Sequence, residues 1–458
     1  MLQEKTINEE LLEQSREALK NAGNRNIEIA GSASEEMRIV YEADDFSVSA
    51  SGKNLRLGIR TLQDHRLGFV STNSTSNAAI AEAVEESYSM ARLSPPSEHY
   101  GFAEPGPNHV AGQEFINEDS QLPHMSEQEL VDVADRVIAA ARNDPRIRLD
   151  RVEVALVRDT RSLLNSHGIE LSMRRSYVTW SAMGMARDGE QVTSFDYDGG
   201  VAFRIPEIEE RIQTSMGRFR ESVLGSLNPR PGRSYQGPVL LHPSLVRQFL
   251  LGTIAYNANG KNQQDGVSTW NGKQGSPVTS PGINIYEDPL DASRPETFLP
   301  FDREGLLTGK HSLVEDGKLS FTGHNIYSAR RAGEKPTGNA SGGASGTPGV
   351  GFTNVKIELD GLETEALESL MKRLNHGLLI KRFSGNADPS SGHFSGVAKN
   401  SYWIENGSIA HPVQEIMVAG NLFQLMQQLV AGTDIDYEIM GGSRAPYLIV
   451  DGLNVTAG

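Results

Sequence analysis

The stretch that decides the fold reads SEQELVDVADRVIAAARNDPRIRLDRVEVALV, residues 126–157. Ser126 followed three places on by Glu129 is a capping box, in which each side chain bonds the other residue's backbone N–H. Leu130, Val133, Ala134, Val137, Ile138 and Ala141 then recur at helical spacing and give one apolar stripe. Asn143-Asp144-Pro145 stops the helix, because proline has no N–H to donate. Residues 152–157 read as a strand, a turn follows at 165–168, and two alternating runs meet at Asp188-Gly189, a pair suited to a tight hairpin. A helix that feeds directly into strands and hairpins points to an α+β fold.

Working toward the N-terminus, Asn8 is positioned to cap a first helix. Glu9 and Glu10 lie at the positive end of its dipole, and Leu11, Leu12, Ser15, Ala18 and Leu19 share a face before Gly23. Short apolar runs at 27–30, 46–50 and 67–70, and the alternation Leu55, Leu57, Ile59 against Arg56, Gly58, Arg60, read as strands. A second helix fits 77–93, with Ile80, Val84, Tyr88 and Ala91 on one face and Pro95-Pro96 beyond it. Residues 95–123 are rich in Pro, Gly, Glu and His without periodicity and are expected to form a surface excursion.

Working toward the C-terminus, the polar, turn-rich 231–237 segment is followed by a fresh strand at Gly237-Pro238-Val239-Leu240-Leu241. The expected organisation is therefore two domains, an N-terminal mixed α/β domain over 1–233 and a β-rich C-terminal domain over 234–458. Glu315-Asp316-Gly317-Lys318 and Glu405-Asn406-Gly407-Ser408 are hairpin turns, helices fit 363–374 and 421–430, and the glycine-rich 336–351 is a loop. No internal repeat is evident.

The 458 residues carry 43 Lys and Arg against 59 Asp and Glu, a net charge of −16, with no basic run. Such a chain repels phosphate backbones and anionic bilayers, so neither nucleic acid nor a membrane is an expected partner. The absence of cysteine excludes thiolate metal sites, cysteine nucleophiles and disulfides. The opening residues 1–5 show no basic start with an apolar stretch, and no apolar run reaches the ~18 residues of a membrane span. The expected location is the cytoplasm.

Motifs that carry chemistry fail one by one. Gly305-Leu306-Leu307-Thr308-Gly309-Lys310 is one residue short of a phosphate-binding loop and continues into His311. Gly392-His393-Phe394-Ser395-Gly396 places its serine one position late for a nucleophile elbow. A zinc helix needs two imidazoles on one face, but His242 is followed by Pro243, and five places on stands Arg247, which has no lone pair for a metal. His311 and His324 flank a hairpin with no third ligand evident. No metal site is expected, and an independent hydrolase would have to use His242, His311, His324 or His393 with nearby carboxylates.

Six blocks are specific. They are Pro300-Phe301-Asp302-Arg303-Glu304-Gly305, Tyr327-Ser328-Ala329-Arg330 running to Pro336-Thr337-Gly338-Asn339-Ala340, Ser391-Gly392-His393-Phe394-Ser395, Trp403-Ile404-Glu405-Asn406-Gly407, Pro412-Val413-Gln414-Glu415-Ile416, and Ala419-Gly420-Asn421-Leu422. Their order and spacing resemble the TldD/PmbA family. Leu57-Gly58-Ile59-Arg60 with Gly68, and Asn165-Ser166-His167-Gly168, extend the resemblance into the first half.

The resemblance implies a dimer-forming α+β protein associated with intracellular proteolysis and peptide maturation. The TldD branch carries His-Glu-x-x-x-His and a later cysteine, and here His242, Pro243 and Arg247 occupy the matching positions without the ligand set. The resemblance is therefore to the TldE (PmbA) branch. It implies a subunit without catalytic residues, cofactor or metal of its own, which partners a TldD-type zinc subunit, itself, or both, around an extended peptide. Thr337, Gly338, Asn339, Ser391, Gly392, His393 and Ser395 would then lie near a peptide channel or an interface. A homodimeric peptide-binding scaffold is the other reading.

Overall fold

The computed structural model describes residues 6–43 and 45–457; residues 1–5, read above for a leader, lie outside them. The N-terminal half runs α1 (Ile7–Ala22), β1 (Asn26–Glu42), β2 (Asp45–Gln63), β3 (Arg66–Thr72), α2 (Asn77–Leu93), β4 (Gln113–Asn117), α3 (Glu127–Ala141), β5 (Ile147–Asn165), β6 (Glu170–Asp188), β7 (Gln191–Val192), β8 (Asp196–Ala202) and α4 (Ile208–Gly225). These strands form one eight-stranded sheet in the order β3-β2-β1-β5-β6-β4, with β7 and β8 also on β6. Strand makes up 41% of the chain against 26% helix, and most pairings are antiparallel, which makes the fold α+β.

The pleat assigns two jobs to the sheet. Ile29, Ile59, Leu164 and Val154 share one face, where the four helices dock: Leu11, Ile80 and Val84 close one core, while Val133, Val137, Met216 and Phe219 close the next. Glu28, Ala30, Gly58, Arg60, Leu163, Leu171 and Met173 point the other way, toward the C-terminal half. Gly58 and Gly68 are close-approach positions. A Cβ on Gly58 would collide with the Ala344 carbonyl, and one on Gly68 with the Ser87 carbonyl of α2.

The C-terminal half begins with β9 (Tyr235–Leu241), which lies inside a ten-stranded sheet between Leu448–Thr456, antiparallel, and Gly377–Ile380, parallel. A four-stranded sheet of Ile283–Glu287, His311–Glu315, Lys318–Leu319 and Val355–Leu359 packs nearby, and Val239, Leu241, Phe249, Ile285, Phe394 and Leu448 share its core. Among the described residues no helix is long and apolar enough to cross a membrane.

Several elements differ from the expectation, each for a local reason. Thr6, not Asn8, caps α1, because Thr6 and Glu9 complete a capping box. The runs at 27–30, 46–50 and 55–59 are pieces of two long strands paired over their whole length, so Ser and Gly inside them are turn-like in type only. Residues 363–365 form a strand parallel to Leu429–Thr433, which shortens the expected helices to Leu367–Leu374 and Leu422–Met426. The helix α4 had no assignment from sequence. Its start has no side-chain cap, and Ile208, Ile212, Met216, Phe219 and Val223 are spread among charges. Residues 95–112 cross to the C-terminal half, with Phe102 and Ala103 buried and the Tyr100 carbonyl accepting from Arg330 Nη1 at 2.6 Å.

Candidate functional site

His242 follows β9 and caps the short helix Pro243–Leu245. Its Nδ1 lies 2.9 Å from Ser244 Oγ and accepts the Ser244 N–H at 3.2 Å, while Ser244 Oγ donates to the Lys381 carbonyl at 3.0 Å. The ring packs edge-on to Tyr447 at 5.2 Å. Burial, then the charges of Lys381 and Arg218, push its pKa down to about 3, so the imidazole is neutral at pH 7. From Val246 to Leu251 the helix widens into a π-helical turn, and Arg247 points outward from it. His242 lies outside this turn as the extended cap of the preceding one, so the two side chains do not share a helical face.

The donor set at this position does not fit zinc. The Nδ1 is engaged, Pro243 and Arg247 offer no lone pair, and the charged groups acting on His242 are cations. Among the described residues no group of three or more His, Asp or Glu is placed to hold a metal ion.

His311 and His324 are held in ordinary polar contacts. His311 bonds Glu287 at 2.9 Å and stacks on Phe321 at 4.3 Å. His324 bonds Ser328 at 3.1 Å, and burial lowers its pKa against the opposing pull of Glu334. Ser391, Gly392, His393 and Ser395 belong to the turn and strand that join Arg382–Ala387 to His393–Lys399. Ser391 Oγ donates to Asp388 at 2.7 Å, and Ser391 and Ser390 together hold that carboxyl down at about 2. His393 and Ser395 are exposed and form no catalytic pair. Thr337 Oγ1 is paired with the His324 backbone and Asn339, whereas Gly338 and Asn339 line a cavity.

That cavity, about 420 Å³, lies at the seam between the two halves. Ala30, Ser32, Arg161 and Met173 come from the N-terminal sheet, and Phe301, Asp302, Arg303 and the backbone of 338–344 come from the other half. Through Arg303 the cavity adjoins a buried ionic cluster. Arg60 grips Glu28 through Nε at 2.9 Å and Nη2 at 2.6 Å and reaches Glu304 at 3.2 Å, while Arg303 Nη1 takes Glu28 at 2.9 Å. Burial alone would raise Glu28, but Arg60 and Arg303 outweigh it and hold the carboxyl below its usual range. Asp302 accepts the backbone N–H groups of Glu304, Leu306 and Ala340, yet burial, reinforced by Glu304, lifts it to about 7.

A second cavity of about 370 Å³ lies further along the same face, lined by Arg175, Tyr177, Phe203, Glu296 and Met440. The charged residues of the seam had no assignment from sequence, although two signals were present. Arg60 falls on the opposite face from Leu57 and Ile59, and Asp302-Arg303-Glu304 sits inside a specific block.

Three models of known protein domains match along the chain. Domain models described as PmbA/TldA metallopeptidase domain 1, central domain and C-terminal domain match residues 27–91, 120–219 and 234–457. Metalloprotease PmbA of Escherichia coli O157:H7 is 26% identical over 392 residues, covering 83% of this chain and 81% of its own. A metalloprotease PmbA homolog of Haemophilus influenzae is 24% identical, covering 97% and 98%. The crystal structure of TldE from Thermococcus kodakarensis superposes with a TM-score of 0.81 at 22% identity, covering 98% of this chain and 100% of its own, a likeness of fold.

Proposed function

Given that this chain belongs to the TldD/PmbA family, we propose that it is the metal-free TldE/PmbA-type member of a proteolytic assembly. In this reading it is a cytoplasmic two-domain subunit that partners a TldD-type zinc subunit and helps enclose an extended peptide during proteolysis or peptide maturation. The observation that carries the reading is His242. Its ring is a neutral helix cap, Arg247 stands where a second ligand would be needed, and Lys381 and Arg218 bear on it instead of a cation-binding carboxylate. In this reading the chain supplies no water-activating group of its own: it has no cysteine, and the serines that meet His242 and His324 are held on backbone carbonyls, Ser244 on Lys381 and Ser328 on Asn325. Walls, backbone edges and pockets are what such a subunit contributes to a partner's chemistry.

The test is co-expression with a TldD-type subunit, size-exclusion chromatography with light scattering, and cleavage of an unfolded peptide by each subunit and by the mixture. A stable complex, with cleavage only when the zinc subunit is present, is the expected result. Absence of any complex, or full cleavage by this chain alone, contradicts the proposal.

A further inference from the structure

Arg161 on β5 lies opposite Met173, and Arg175 on β6 lies opposite Asp159, so both guanidiniums project from the sheet face covered by the C-terminal half. Arg161 lines the first cavity and Arg175 the second. The neighbouring carboxylate belongs to Arg175: Asp159 Oδ2 receives Arg175 Nε at 3.2 Å, Arg175 Nη2 at 3.1 Å and the Tyr177 hydroxyl at 2.9 Å. Among the described residues Arg161 makes no hydrogen bond and no ion pair. Arg161 is exposed at the edge of the cavity it lines, beside the second guanidinium of Arg175.

The groups facing Arg161 from the other half leave the imbalance in place. Glu287 accepts from His311, Asn339 and the Thr353 N–H, and Asp302 is taken by three backbone N–H groups. Arg303 lines the same cavity, with Nη1 on Glu28, Nε on the Gly343 carbonyl at 3.2 Å, and a buried Nη2 that has no acceptor. The acids of this cavity are engaged by protein donors, whereas Arg161 is exposed without a protein acceptor and one nitrogen of Arg303 has none.

We propose that Arg161 anchors a carboxylate in this cavity, and that the carboxylate belongs to a short extended peptide whose carbon lies against Met173, Leu163, Leu299 and Phe301. A guanidinium matches a carboxylate with two parallel N–H···O bonds. A phosphate dianion suits the site less, because Glu287 and Asp302 stand in the same wall. Apolar walls with a few fixed polar groups are what a peptide end or side chain requires. The choice of a peptide rests on the function proposed above, whereas the carboxylate rests on the unpaired cation.

The test uses the full chain alone and three fluorescein-labelled pentapeptides in an anisotropy titration: Ala-Ala-Leu-Ala-Leu with a free carboxyl, its C-terminal amide, and an amide carrying one internal Glu. A carboxylate on Arg161 requires at least one of the two acidic peptides to bind about tenfold or more tightly than the neutral amide. The acidic peptide that gains identifies a chain end or a side chain as the source. R161Q should abolish the gain and R161K should retain part of it. If R161Q does not fold, the same gain must still fall as NaCl rises from about 50 to 500 mM. Equal binding of all three peptides, no binding of any, or a gain that persists in R161Q or at high salt overturns the proposal. No TldD-type subunit is present in this experiment, so its outcome is independent of whether the complex forms.

Discussion

Arg60 and Glu304 stand 244 positions apart in sequence and meet at 3.2 Å in a fully buried ion pair that joins the N-terminal sheet to the C-terminal half. Around them Glu28 and Arg303 complete a cluster in which each charge has an opposite neighbour. Removing one member leaves the others desolvated without compensation, typically about 3–5 kcal/mol. R60M should therefore lower the urea midpoint by a shift of that size with the denaturant slope little changed. A loss below about 1 kcal/mol would show that the cluster does not hold the halves together.

Two buried groups make opposite pH demands. Asp302, lifted to about 7 by burial and Glu304, binds its proton more readily folded than unfolded. The stability it supports is complete below the ordinary Asp range and is lost as pH rises through about 7. His242, pushed down to about 3 by burial, Lys381 and Arg218, contributes stability that is present above the ordinary His value and is lost as pH falls toward 3. Each contribution has a ceiling on the order of 4 kcal/mol. Over pH 4 to 7 they oppose one another in the wild type. D302N should make stability rise with pH across that window, and H242N, which keeps a capping side chain, should make it fall. Urea unfolding at intervals from pH 4 to 8 checks both signs, and parallel profiles for the three proteins would refute the assignment.

Gly58 touches the Ala344 carbonyl across the seam, so the glycine-rich loop is seated directly on β2. G58A should unseat that loop. We expect a loss of about 1–3 kcal/mol from overpacking and faster amide hydrogen exchange over 342–346, where exchange in the wild type reports the seated state. An unchanged exchange pattern would place the loop's restraint elsewhere.

The capped, periodic helices were legible in the sequence: α3 through Ser126 and Glu129, and α2 through Ile80, Val84, Tyr88 and Ala91. The hairpin turns at Asp316-Gly317 and Asn406-Gly407 were legible because positive φ demands those residue types. Strand length was not, because pairing partners such as Asn26 with Leu62 or Met37 with Leu156 lie outside any local window. The site was legible only as motif chemistry. His242, Pro243 and Arg247 could be judged by what they cannot ligate, and Gly338 and Asn339 by their setting. Arg161, Glu28 and Asp302 acquire meaning only when two halves of the chain are laid face to face, which no local pattern of charge announces.

The account turns on whether this polypeptide carries metal. Zinc per chain, measured by inductively coupled plasma mass spectrometry on the purified full-length protein after exhaustive dialysis against metal-free buffer, reads this directly. The structure around His242 predicts well under about 0.1 zinc per chain, unchanged in H242N, because the donors needed for tight binding do not converge there. A value near one zinc per chain that falls on substitution of His242 would contradict it.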